Sequence, residues 1–224
     1  RMDKDRLHRI INLVDVFKLP VEKRNLIIDS FLDADAMYAE LMHVGYPDPL
    51  DFPNTTAYIN ALKPLPDDFI NIVLKWQPKL KYGNTIIDFL RESKNRYDGR
   101  VLIAIFNNGD ANVKWQVCDT IAYNPPLYIN DWIKGICLSD KYGYFETGLI
   151  PLAVAKMFHR DEARTILKDS FDLHPEVAPE ALGKVGTVED IAFLEEKAEK
   201  KYESKFIYKG IEKAIRKIKK RAKV

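Results

Sequence analysis

From about residue 97 onward the apolar residues fall into amphipathic segments that recur at a nearly fixed interval. No other feature of the chain limits its fold as much. Four pairs of helical segments can be laid out. Their first members start near Asp98, Ile129, Asp161 and Val188, at steps of 31, 32 and 27 residues. Their second members start near Asp110, Glu146, His174 and Ser204, at steps of 36, 28 and 30. A helix hairpin of this length cannot bury its apolar face alone. It has to stack on a neighbour, and stacked hairpins produce a period of this size. Strand patterns are nearly absent. The rival is the run Val101 to Phe106 ahead of Asn107-Asn108-Gly109, which has the form of a buried strand entering a turn. It has no visible partner strand, so it is read as a buried helix.

Residues 1–96 are also helical in pattern but less regular. Leu7, Ile10, Ile11, Val14 and Phe17 have helix-face spacing, and Leu26, Ile27, Phe31, Ala34, Met37, Tyr38 and Leu41 mark a second helix. Gly45 is placed to end it, and Pro47 and Pro49 prevent its continuation. Five of the twelve prolines lie in 45–66, so a long connection is expected around 45–53. Asn54 is placed to cap a short helix to about Leu62, Asp67-Asp68 precede another that Pro78 ends, and Asn84 is placed to cap one through Leu90. The expected fold class is all-α. Residues 1–96 form an irregular helical part, continuous with a repeat array over 97–224.

The array has a family likeness. The stretch Pro175 to Gly186, ending Leu182-Gly183-Lys184-Val185-Gly186, is similar to the second helix and turn of a bacterial HEAT-like repeat. In such repeats a short helix ends in a Leu-Gly-x-Ile/Val-Gly turn and leads into the next first helix, here Val188 to Glu196. The last helix, Lys205 to Arg221, sets Ile207, Ile211, Ala214, Ile215 and Ile218 on one stripe. The resemblance covers residues 97–221 and is clearest over 175–221. It implies an α-solenoid with a long, shallow, curved surface suited to another protein or a peptide.

Charge narrows the partners. The net charge is only +2, so the whole chain is not an electrostatic nucleic-acid binder. Residues 209–223 hold eight Lys/Arg and one Glu, a local +7, which leaves −5 for residues 1–208. Nucleic acid could be held through Lys213, Arg216, Lys217 and Lys220. A solvated cap for the last repeat is the other reading of the same helix. No apolar run approaches the ~20 residues of a membrane span. The charged start, Arg1 to Arg6, lacks the apolar stretch of a secretory signal. Met2 reads as the natural start with Arg1 ahead of it. A cytoplasmic protein is the default expectation, and the mature form of a processed chain is the other.

Catalytic patterns are weak. His8, His43, His159 and His174 lack metal-ligand spacing, and none of the five serines sits in a GxSxG elbow. Cys118 and Cys137 lie in apolar helical patterns without an evident basic neighbour, and the ten glycines are scattered. Asp33 and Asp35 point nearly opposite ways on a helix and read as a solvated face. No metal, cofactor or catalytic residue is therefore assigned.

Trp115 and Asp119 stand one turn apart on a second helix. This resembles the alkylpurine DNA glycosylases, a HEAT-like branch that places a Trp one turn before a catalytic Asp. There the ring holds a cationic base and the carboxylate stabilises positive charge on the departing sugar. The chain departs from that branch in having no tryptophan after Trp132. The loops Tyr123 to Tyr128 and Tyr142 to Phe145 are rich in aromatic residues, where turns usually carry small polar ones. Aromatic residues with polar tips are enriched at interfaces. The expected function is a non-enzymatic protein-binding module, of immunity, inhibitor or scaffold type. Its candidate binding residues are Trp115, Asp119, Tyr123, Tyr128, Trp132, Tyr142 and Tyr144. The alternative is a nucleic-acid-binding protein, including a glycosylase-like activity.

Overall fold

The computed structural model describes residues 4–222, so the expectations placed on Arg1, Met2 and Lys223 lie outside them. Helix takes up 73% of the chain and no strand occurs among the described residues, which establishes the all-α class. The chain divides into two compact units, Arg1–Tyr97 and Asp98–Val224.

The first unit holds α1 (Lys4–Asp15), α2 (Val21–His43), α3 (Thr55–Leu62), α4 (Asp67–Trp76) and α5 (Ile87–Arg91). The backbone ends α2 at Gly45. Its φ of +104° is a left-handed value that costs glycine little. The Gly45 N–H reaches the Met42 carbonyl at 3.0 Å and the Tyr46 N–H reaches Leu41 at 3.0 Å. This crossed pair satisfies carbonyls the helix would otherwise leave open. Asn54 caps α3, its side chain accepting from the Ala57 N–H at 2.8 Å. Asn84 does not cap α5. It lies inside a 3-10 turn, Gly83–Ile86, that leads directly into that helix. The core is aromatic: Tyr58 stands edge-on to Phe52 at 5.3 Å and to Tyr38 and Phe89 at 6.4 Å. Asp33 and Asp35 are not simply solvated. Asp33 accepts the Tyr82 N–H at 3.0 Å and Asp35 pairs with Arg6, because a different distant segment comes up to each side of α2 there.

The second unit holds α6 (Arg100–Asn108), α7 (Ala111–Tyr123), α8 (Asn130–Cys137), α9 (Tyr144–Thr147), α10 (Ile150–Met157), α11 (Arg160–Asp169), α12 (Ala178–Val185), α13 (Asp190–Glu199) and α14 (Lys205–Ala222). The run from Val101 is thus helix, not strand. The helices α6, α8, α11 and α13 begin at Arg100, Asn130, Arg160 and Asp190, three equal steps of thirty residues. Each packs on a partner: α6 on α7, α8 on α10, α11 on α12 and α13 on α14. The partners pack in succession, α7 on α10, α10 on α12 and α12 on α14.

Two expected starts are displaced. Near Glu146 the chain makes only the short α9, breaks at Gly148 and restarts as α10 with Pro151 in its first turn. Near His174 it makes a 3-10 turn and a further turn before α12 begins at Ala178. The imidazole there is buried and meets the Cys137 carbonyl at 3.0 Å. A tertiary hydrogen bond, not a cap, fixes that residue.

Buried Phe106, Ile121, Ile133, Val154, Leu167, Leu182, Leu194 and Ile211 run the length of this unit. Each contributes roughly 1.5–3 kcal/mol of transfer free energy. Cations close the helix ends. Arg160 donates to the carbonyls of Val185 at 2.7 Å and Gly186 at 3.0 Å, and Arg221 donates to Gly183 at 3.1 Å and Lys184 at 2.9 Å. These carbonyls end α12 and carry the negative pole of its dipole.

Candidate functional site

The candidate site grows from α7. Trp115, Asp119 and Tyr123 follow one another at four-residue intervals, so they share a face of that helix. Asp110 fixes the helix start by accepting the Val113 N–H at 2.9 Å. Lys156 fixes its end, donating to the Tyr123 carbonyl at 3.0 Å and to that of Ala122. Burial pulls the Lys156 pKa below its ordinary value, and Lys184 adds repulsion in the same direction.

The short α9 brings a second row of rings alongside. Glu146 pins it from two sides, accepting the Gly143 N–H at 3.0 Å and the Lys114 ammonium at 3.0 Å. Those bonds, the backbone one first, hold the Glu146 carboxyl below its ordinary pKa. α9 ends at Gly148, where the chain needs glycine because a Cβ would lie 2.6 Å from the Tyr144 ring and from the Tyr144 carbonyl oxygen. The result is a run of three rings: Trp115 to Tyr144 at 5.5 Å and Tyr144 to Phe145 at 5.4 Å. Tyr144 is 38% exposed, Tyr123 53% and Phe145 78%. Asp119 and Tyr123 line a shallow pocket of about 210 Å³ beside this run, with Leu149, Leu152, Lys156 and Lys184.

The seven residues expected to bind do not form one patch. Trp115 and Tyr144 touch, and Asp119 and Tyr123 share the adjoining pocket. Trp132 and Tyr142 instead pack edge-on against buried Phe106, at 5.1 and 5.3 Å. The Lys114 ammonium sits 5.5 Å from the Tyr142 ring. Trp132 and Tyr142 thus cover Phe106 of α6 and are only partly exposed. Tyr128 stands on a left-handed backbone (φ 66°), with the Arg100 guanidinium 5.8 Å from its ring. Phe145 is the ledge residue that spacing alone passes over. Its signal was present in the sequence as an apolar ring in a loop that Gly143 and Gly148 bracket.

The buried nucleophiles are held neutral. Burial raises the Cys118 thiol well above its usual range. It raises Cys137 to about 11, against a hydrogen bond shared with Ser170 at 3.3 Å. Burial lowers His174, more than the Cys137 carbonyl raises it. Among the described residues no group of three His, Cys, Asp or Glu side chains is placed to hold a metal ion. No described helix is long and apolar enough to cross a membrane. No protein family, curated protein or solved structure matches this chain.

Proposed function

We propose that residues 98–224 form an α-solenoid of HEAT-like helix pairs, and that the protein is a non-enzymatic binding module for another protein. The equal thirty-residue steps of the first helices and the successive packing of the second helices support the solenoid. The ledge of exposed Tyr144 and Phe145, backed by half-buried Trp115, carries the functional reading. Solvent-facing rings of this size are unfavourable unless a partner covers them. Aromatic anchors surrounded by a polar rim are the anatomy of a protein interface, and Asp119, Lys156 and Lys184 supply such a rim. Inhibition of a basic partner is one form of this role, favoured by the −5 charge of residues 1–208.

A glycosylase-like reading keeps one observation in its favour: Asp119 lines a pocket one turn from Trp115. Against it, Tyr144 already lies against the Trp115 ring that would have to hold a base. A pull-down from the source cell with mass spectrometry should recover a stoichiometric protein, and Asp119→Asn should weaken that complex. The purified protein should release no base from methylated DNA. Base release that Asp119→Asn abolishes would replace the binding reading with the catalytic one. A lowered melting temperature with unchanged partner affinity would make Asp119 purely structural.

A further inference from the structure

Cations in the second unit mostly have work inside the fold. Lys114 pairs with Glu146 at 3.0 Å, Lys134 with Glu162 at 3.2 Å and Arg164 with Asp190 at 2.6 Å. The exception is the outward side of α14. Lys209, Lys213, Arg216, Lys217 and Lys220 are all exposed, and among the described residues none of them forms a salt bridge. Helical geometry sets these five within an arc of about 100° on one side of the helix, a stripe about 16 Å long. The buried residues Ile207, Ile211, Ala214 and Ile218 lie on the opposite side. Phe206, 80% exposed, sits at the head of the same stripe, with the Lys209 ammonium 5.9 Å from its ring. The helix carries one acid, Glu212, at the edge of the stripe.

We infer that the outward face of α14 binds single-stranded nucleic acid, its five cations along the phosphate backbone and Phe206 under a base. The alternatives fit less well. A basic amphipathic helix holds a membrane by sinking its apolar face into the lipid. Here that face is already committed to α12 and α13. It lies so close to α12 that a Cβ on Gly183 would stand 3.1 Å from the Ala214 Cα. A protein partner wants an apolar centre, and lysine is depleted from such centres. This stripe is mostly lysine with a single ring at its end. A row of point charges serves a polymer that repeats its charge, and an exposed ring beside it stacks on any base. The inference stands apart from the Trp115 ledge and survives its failure.

The test is fluorescence anisotropy of the full chain with labelled oligothymidylate across salt concentrations. Five phosphate contacts predict a log–log salt slope of about −3.5, or roughly a hundredfold loss of affinity between about 50 and 200 mM. The variant Lys213→Gln/Arg216→Gln/Lys220→Gln should flatten the slope to about −1.5. Phe206→Ala should weaken binding about tenfold. All four side chains face solvent, so circular dichroism and melting temperature should not change. Duplex DNA, polyglutamate and phosphatidylserine vesicles are the competing ligands. The inference is overturned by equal or tighter binding to any of the three, by a slope that the triple variant leaves unchanged, or by no saturable binding at low salt.

Discussion

Tyr58 in the first unit meets the rings of Tyr38, Phe52, Phe69 and Phe89, so residues from α2, α3, α4, α5 and the loop before α3 converge on one place. In the second unit contact passes along the chain instead: α7 to α10, α10 to α12, α12 to α14. A converging core makes its helices depend on one another. A core passed from neighbour to neighbour lets damage stay local, because each pair rests on the next. In the second arrangement α7 and α9 carry the aromatic ledge and the outward side of the last helix, α14, carries the basic stripe.

The largest expected effect is at the convergence. Phe89→Ala removes a fully buried ring that touches Tyr38, Tyr58 and Phe69, and should cost roughly 3–5 kcal/mol. Urea unfolding should show the loss, and hydrogen exchange should show α2 to α5 losing protection together. Protection lost only in α5 would break the contrast between the units.

Leu194→Ala comes next. The side chain is fully buried in α13, and its truncation should cost roughly 2–4 kcal/mol. Amides of α13 and α14 should exchange faster while those of α6 and α7 keep their rates. Uniform acceleration across the second unit would contradict neighbour-to-neighbour packing.

How legible each unit was follows from the same contrast. In the second unit the pattern repeats, so one misread segment is corrected by the others. The first-helix starts expected at Asp98, Ile129, Asp161 and Val188 lie within two residues of those observed. The second-helix starts near Glu146 and His174 were less readable, because the chain packs Tyr144 against Gly148 and buries the His174 imidazole against the Cys137 carbonyl at those places. Both are tertiary. In the first unit the helices were visible, but nothing local says that Tyr58 becomes the hub, since its partners lie up to thirty-one residues away. The same holds for Asp190. In the sequence it is one acid among many, yet it is buried and grips Arg164. For the site, α7 periodicity placed Trp115, Asp119 and Tyr123 on one face. Only the fold separates Trp132 and Tyr142, which brace Phe106, from Tyr144 and Phe145, which do not.

A smaller effect concerns pH. His174 is buried, and burial holds its folded pKa below the ordinary 6.5. As pH falls, the unfolded chain takes up the proton first. Stability is therefore complete above about pH 6.5 and declines as pH falls toward and through the lowered folded value. Thermal melts across that range should show the decline, and His174→Gln should remove this part of it. An unchanged pH profile in the variant would assign the acid sensitivity elsewhere.

Binding through the ledge is tested most directly by titration calorimetry of the partner recovered in the pull-down, against wild type and Phe145→Ala. Phe145 is 78% exposed and makes its ring contact with Tyr144 at the outer end of the run, so its truncation should leave the melting temperature unchanged. A hot-spot ring predicts a loss of about 2 kcal/mol or more, roughly thirtyfold in Kd. An affinity within twofold of wild type, from a variant that folds normally, would contradict the ledge as the binding surface.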